Sequence, residues 1–538
     1  MGLADNIVKR QEDLQAARST WESLWQDIPD YVLPAKAGVT SEDTPGTRKG
    51  SLIYDSTPQK AVNVSSAGLM SHMTSIASPW FALRTRNEGL MEDGGVKWWL
   101  QEAERRMFAV YNSSNFYTSI HEYYQDLIAF GTASIFVEED PEFVVRFSVF
   151  PIRQIFIAEN YNQQIDTVYR VYKQTARQLV QEFGEDNVSR NTIEKAREKP
   201  DTKVDCIHAV FPRKDRDIRL KTRVNMPFAS IYLEKGEKHI LDDGGYLEMP
   251  WMVARWSKGS REIYGRCPAI DVMPDIKTLH QMERTNLRQA EKAADPPLLV
   301  HADYTGRVRT KPGGINYYRD PNKVIRQMDV AGNIPVALEM VEQKRQSIRE
   351  AFFVDVFLML SQENRGKQPI TATEVVERVQ ERLMILGPVL GRLHSEALGP
   401  LVERSFSVML RANFFPPLPE ELLGQELDVE YLSPLAKAQK AMEARSTQEA
   451  MLFIQQLLGV SPDPALAQEL MDNIDVDKYV KKAWDIFGAP AEIIRDPEER
   501  DGIREQRAKA QQMQQMMLAA QQGADIGKTA SEAENAGG

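Results

Sequence analysis

Apolar residues at Leu3, Ile7, Leu14, Ala17, Trp21, Leu24 and Trp25 recur at three- and four-residue steps, which predicts a helix over 3–30 ended by Pro29. A Gly/Thr/Ser-rich connection, 37–51, follows. Residues 55–77 read as a second helix, with Asp55 or Ser56 at its cap and Pro58 in its first turn. Ala61, Val64, Ala67 and Leu69 line one side of it. Its small residues (Ala61, Ser65, Ser66, Ala67, Gly68) let a neighbour come close. Residues 92–130 read as two more helices broken near Asn112–Ser114, one of which buries Trp98, Trp99, Phe108 and Tyr111.

After Gly131 the grammar changes. Segments 133–138, 143–149, 154–158 and 165–173 are rich in Val, Ile, Phe and Tyr and are separated by polar turns, as strands are. A short helix over 175–183 ends at Gly184. Further strands are predicted at 203–211, 228–234 and 246–254, with Asp243–Gly244–Gly245 as a turn. The first half is therefore α+β, and the second half returns to helix. One candidate covers 269–294, closed by Asp295–Pro296–Pro297. Residues 298–333 are β or irregular, with Lys311–Pro312–Gly313–Gly314 as a turn. Residues 336–360 run without Gly or Pro behind Pro335, a helix of about 25 residues and roughly 37 Å. A polar loop, 361–370, leads to Thr371 and Glu374 at capping-box spacing. They open a long helix, 372–412, interrupted at Gly387–Pro388 and ended by Pro416, Pro417 and Pro419. A smaller helical region spans about 433–500, and the Gln/Met-rich end frays.

Composition adds constraints. The 538 residues exceed one core and call for two to four regions. The 66 basic and 77 acidic residues leave a net charge of -11, without the global bias of a tight nucleic-acid binder. Two distant cysteines, Cys206 and Cys267, make neither a disulfide framework nor a C-x-x-C metal knuckle. No uncharged apolar run reaches the roughly 20 residues needed to span a bilayer. The start has no signal-peptide core, and Asn6 stands where a myristoylation motif has Ser or Thr. The expectation is a chain made for a reducing cytoplasm.

No compact catalytic motif stands out. His121–Glu122 opens like H-E-x-x-H, but position 125 is Gln. Phosphate-loop and G-x-S-x-G patterns are missing. Asp242–Asp243 and Glu138–Glu139 are sequence neighbours that a strand sends to opposite faces, so they are expected to face solvent rather than form a carboxylate pair. No cofactor or metal is implied. One pattern carries functional content: the loop between two long helices holds Gln362, Arg365, Lys367 and Gln368. Two cations on such a loop can touch a phosphate backbone without reading bases, although the same stretch also serves as an ordinary solvated connector.

Several segments in order carry a family likeness. They are WQDIPDYVLP (25–34), IYDSTPQKAVNVSSAGLMSHMTSIASPWFAL (53–83), IHEYYQDLIAFGTASIFVEED (120–140), GRCPAIDVMPDIKTLHQMERTNLRQAEKAADPPLLV (265–300), ENRGKQPITATEVVERVQERLMILGPVLGRL (363–393) and YLSPLAKAQK (431–440). The chain resembles the head-to-tail connector (portal) proteins of T7-like podoviruses over nearly all of its length to about residue 500.

That resemblance implies an α+β portal fold assembled as a homododecameric ring around a DNA channel. It implies a wing at 1–265, stem helices at 266–295 and 335–360, and a β-containing clip at 296–334. A tunnel loop at 361–371 would turn Arg365 and Lys367 to the channel. A long wing helix and connection at 372–430, a crown at 431–500 and a partly disordered tail at 501–538 complete it. The implied partners are the packaging terminase, a tail adaptor, major capsid and scaffolding proteins, internal core proteins, and double-stranded DNA held non-specifically, with no stable membrane association. The implied place is the capsid vertex of the virion, after synthesis in the host cytoplasm. Stem charges Glu283, Arg284, Arg288, Glu291 and Lys292, with Glu339, Glu342, Lys344, Arg345, Arg349 and Glu350, are expected to pair between subunits. The alternatives are another phage tail or baseplate ring component, against which the long helices count, an enzyme with a dispersed site, and a peripheral membrane protein.

Overall fold

A computed structural model describes residues 2–36, 38–40, 46, 49–217, 219–220, 222–302, 305–311, 315–317, 320, 324–327, 334–361, 386–425, 427–432, 452, 500–514 and 516. In chain order the helices are α1 (Leu3–Tyr31), α2 (Thr57–Met73), α3 (Gly94–Ser113), α4 (Phe116–Phe130), α5 (Ala176–Phe183), α6 (Arg190–Glu198), α7 (Pro268–Asp271), α8 (Met273–Ala294), α9 (Ile334–Ala351), α10 (Val354–Ser361) and α11 (Gly399–Arg411). The strands are β1 (Phe81–Thr85), β2 (Thr132–Asp140), β3 (Val144–Val149), β4 (Ile155–Glu159), β5 (Ile165–Thr175), β6 (Lys203–Pro212), β7 (Phe228–Glu234), β8 (His239–Tyr246), β9 (Trp251–Arg255), β10 (Leu298–Leu299), β11 (Arg326–Gln327) and β12 (Leu427–Tyr431). The chain divides into two compact units: Met1–Phe81 with Arg106–Phe414, and Ala82–Arg105 with Phe415–Gly538.

The first unit is built on an antiparallel sheet in the order β4-β5-β6-β7-β8. Its central strands are apolar on both faces because both faces are covered. On one side Ile7, Val8 and Leu14 of α1 pack on Phe156, Tyr169, Ile207, Ala209, Ile231 and Leu233. On the other, Leu179 of α5 and Val188 meet Cys206 and Leu241. The buried stripe of α1 is Ile7, Gln11, Leu14, Arg18, Trp21, Trp25 and Ile28, a helical repeat interrupted by two polar residues. Arg18 satisfies its buried guanidinium on the carbonyls of Ile152 (2.9 Å) and Ile155 (2.7 Å) and on Glu22 (2.8 Å). Leu3, Ala17 and Leu24, expected on this face, are exposed, and Pro29 sits inside the last turn rather than ending the helix.

A second sheet, β3-β2-β9, is also antiparallel and carries α4. Two chain segments cross tightly beside it. A Cβ on Gly131 would lie 2.3 Å from the Gly265 carbonyl oxygen, and one on Gly265 would lie 2.2 Å from that of Gly131, so neither position accepts a side chain. Trp25 donates its indole N–H to the Phe130 carbonyl at 3.0 Å, tying α1 to the end of α4.

The small-residue face of α2 receives α10. The Phe357 ring occupies the space a Gly68 side chain would need, and Ser65 Oγ donates to the Phe352 carbonyl. The expected single helix over 336–360 is two helices, broken where Phe353 adopts a positive φ of 58°. Residues 386–393 are helical through Gly387–Pro388. The irregularity lies further on, in a π-helical turn at His394–Leu398. Pro400 there has no N–H to offer the Glu396 carbonyl, and the turn widens.

Other corrections concern β8 and its surroundings. Asp243–Gly244–Gly245 is not a turn but lies within β8, which begins after the true turn at 235–238. The strand expected over 246–254 is the shorter β9, and α6 is a helix that the apolar pattern does not predict. Trp98 is exposed, whereas Trp99 and Tyr111 are buried.

In the second unit, β1 pairs with β12. Arg86 and Asp428 cross the pair at 3.1 Å, and Trp99 donates its indole N–H to the Pro416 carbonyl at 3.2 Å. Residues 500–514 form a helix exposed along most of its length. The crown expected at 431–500 lies almost wholly outside the described residues, as do Lys311–Pro312–Gly313–Gly314 in all but Lys311.

Candidate functional site

The site with most structure around it is the helix pair α8 and α9. Asp275, near the start of α8, accepts from Lys344 (2.7 Å) and Ser347 (3.0 Å), late in α9. Beyond the end of α8, β10 pairs antiparallel with β11, which precedes α9. The two helices thus run in opposite directions with an insert between their far ends.

Their near ends are tied into the first unit. Arg345 reaches Asp55 at 2.8 Å and Glu283 at 2.6 Å, while Glu342 takes Arg345 at 3.3 Å and Arg349 at 3.0 Å. Burial works to raise the Asp55 carboxyl, but hydrogen bonds from Thr57 and the Arg345 charge outweigh it and hold the group below its ordinary range. His280 adds a neutral staple. Its Nδ1 accepts from the backbone N–H of Tyr54 (3.1 Å) and Asp55 (3.3 Å), so Nε2 carries the proton toward the Tyr31 carbonyl at 3.0 Å. Burial, opposed by that carbonyl and Asp55, keeps its pKa below the usual value.

The far ends differ. Ile276, Leu279, Val341 and Ile348 are buried between the helices and their neighbours. Leu287 (51%), Leu299 (58%), Leu338 (55%) and Met340 (50%) are exposed. Arg288, Glu291 and Lys292 are exposed as well. Part of the expected pairing between subunits is corrected by these contacts: Glu283, Glu342, Lys344, Arg345 and Arg349 are engaged within the chain.

Gln362, Arg365, Lys367 and Gln368 lie outside the described residues. Asp55 was legible only as a cap candidate, and nothing local marks its partner Arg345, which lies 290 residues away. Asp242 and Asp243 do not simply face solvent: they hold Arg223 (2.7 Å) and Arg213 (3.1 Å). Glu139 likewise meets Arg411 at 3.0 Å.

Reactive chemistry has little support among the described residues. Burial pushes the thiols of Cys206 and Cys267 up to about 12, so they stay protonated. His208 stacks on Tyr232 with ring centres 3.9 Å apart, within hydrogen-bond reach of Ser230 at 3.0 Å, and burial pushes its pKa down to about 3. Among the described residues no group of three His, Cys, Asp or Glu is placed to hold a metal ion, and no helix is long and apolar enough to cross a membrane.

The sequence pattern of the family described as "Bacteriophage head to tail connecting protein" matches residues 4–494. The chain is 35% identical over 544 residues to the portal protein of Salmonella phage epsilon15, covering 98% of this chain and 96% of that one. It is 34% identical over 528 residues to a probable portal protein of Bordetella phage BPP-1, covering 96% and 94%. Among solved structures, a chain from the neck of an empty GTA particle aligns over 80% of this chain and 90% of its own, with 11% identity and a TM-score of 0.35.

Proposed function

Because the chain belongs to the bacteriophage head to tail connecting protein family, we propose that its subunits close into a ring, a dodecamer, whose bore is the passage for DNA. The protein is a portal, a structural component at one vertex of the phage capsid, and the chemistry of packaging belongs to other chains. In this reading the stem is 266–295 and 335–360, which hold α8 and all of α9 after Ile334, and the insert 296–334 is the clip. The clip receives the packaging terminase during filling and a tail adaptor afterwards. Residues 1–265 form the wing, 372–430 its long helix and connection, 431–500 the crown and 501–538 the tail. Capsid, scaffolding and internal core proteins meet the outer and inner surfaces. Gln362, Arg365, Lys367 and Gln368 form the tunnel loop and touch duplex DNA without reading its sequence.

The observation that carries the ring is the exposed apolar end of the helix pair. Leu287, Leu338 and Met340 of the pair, with Leu299 just beyond α8, are large apolar side chains that the chain's own core leaves exposed, and a ring gives them a neighbour to pack on. The net charge of -11 supports sliding over gripping, because strong phosphate neutralisation would hold DNA in place. The test is native mass spectrometry of the full chain with negative-stain class averages. The reading expects rings of about a dozen copies, the number implied by the family resemblance, with an open centre. A chain that remains a monomer or dimer at high concentration and in the presence of scaffolding protein contradicts it.

A further inference from the structure

The connection from β6 to β7 is strongly basic in an acidic chain. Between 213 and 223 stand six cations (Arg213, Lys214, Arg216, Arg219, Lys221, Arg223) and two acids (Asp215, Asp217), a net of +4 in a chain of net -11. Several of its described residues are tied together by hydrogen bonds. Arg213 N–H closes the neck on the Pro227 carbonyl at 2.8 Å. Asn225 plugs the interior: its Oδ1 accepts from Asp217 N–H at 2.9 Å, and its Nδ2 donates to the carbonyls of Leu220 (2.7 Å) and Asp217. Asp217 Oδ1 in turn accepts from Arg219 N–H at 3.0 Å.

The cations divide into two sets. Arg213 and Arg223 fix the base of this arm to Asp243 and Asp242 of β8. Lys214, Arg216 and Arg219 are exposed and have no ion-pair partner among the described residues. Beside them Leu220 is 57% and Val224 49% exposed. The result is a hydrogen-bonded connection that displays three exposed cations, with Asp215 and Asp217 between them, and two uncovered aliphatic side chains. Like charges held together repel, and a complementary partner relieves both that repulsion and the exposed apolar area.

We propose that this arm is a docking surface for an acidic, aliphatic polypeptide segment of another protein. The partner's carboxylates meet Lys214, Arg216 and Arg219, and its apolar side chains cover Leu220 and Val224. Nucleic acid is the competing polyanion, but a phosphate backbone has nothing to place over the two aliphatic residues, whereas an amphipathic acidic segment supplies both contacts. The proposal does not depend on the ring and concerns a surface separate from the helix pair.

The experiment is fluorescence anisotropy of the full chain with a labelled amphipathic Glu/Leu peptide, with poly-glutamate and a random-sequence DNA duplex as comparison probes. The combined substitutions Lys214→Glu, Arg216→Glu and Arg219→Glu are expected to weaken peptide binding at least about tenfold. Leu220→Ser with Val224→Ser is expected to weaken it about threefold or more while leaving poly-glutamate binding as it was. Thermal melts of both variants should match wild type, because these side chains are exposed. The proposal is overturned if the charge-reversed chain binds the peptide as tightly as wild type. It is equally overturned if DNA binding depends on the three cations while Leu220→Ser with Val224→Ser changes no peptide affinity, since the arm is then a phosphate site.

Discussion

The five-stranded sheet and the helix pair α8 and α9 handle their apolar residues in opposite ways. In the sheet, Ile207, Ala209, Ile231 and Leu233 are buried, and α1 on one face with α5 and its surroundings on the other provide the cover. In the helix pair, burial stops partway. Ile276 and Leu279 are sealed in, but Leu287 on the same helix is not, and Val341 and Ile348 are buried where Leu338 and Met340 are exposed. Covering one such side chain is worth about 1.5–3 kcal/mol. The sheet is therefore covered within one chain, whereas the helix pair leaves large apolar side chains that only the proposed ring would cover.

The largest effect that would separate the two regions is in the sheet and its covering helix. Trp25→Ala removes a fully buried indole and its bond to Phe130 and is expected to cost about 3–5 kcal/mol, read as a lowered urea midpoint of the separated subunit. A cost below about 1 kcal/mol would mean that α1 is not part of an independently stable body.

A smaller and pH-dependent effect concerns His208 on β6. Burial holds its folded pKa at about 3, below the ordinary value of 6.5, so the unfolded chain binds the extra proton first. Its contribution to stability is complete above pH 6.5 and is lost as the pH falls toward 3, by up to about 1.4 kcal/mol per pH unit. Denaturation midpoints across this range should fall less steeply in His208→Gln than in wild type, and parallel curves would remove His208 from the account.

The smallest effect on the subunit should accompany the largest on assembly. Leu287→Ser with Met340→Ser alters exposed positions and is expected to change subunit stability by less than about 0.5 kcal/mol each. Sedimentation should nonetheless show assembled particles giving way to free subunits. Loss of stability with intact assembly would reverse the comparison.

What could be read in the sequence follows the same division. β6 and β7 are legible because strands covered on both faces have apolar interiors, and Gly184 marks the end of α5. Gly244 and Gly245 look like a turn in the sequence, but they lie in the edge strand β8, where Arg223 and Met226 press against them. The break at Phe353 left no local sign, since neither Gly nor Pro makes it. The site was harder still. Arg345 gathers Asp55 and Glu283 from distant segments, and Arg18 occupies a core position on α1, and no local spacing encodes either. The helices of the site were legible, but the partners of their charges were not.

In the proposed ring, neighbouring copies bury the far ends of α8 and α9. Amide hydrogen exchange on assembled and dissociated chains at one pH reports this directly. Peptides from 284–300 and 334–343 should exchange at least about tenfold more slowly in the assembled particle, with β6 and β7 unchanged. Equal exchange of those helix ends in both forms would contradict the account.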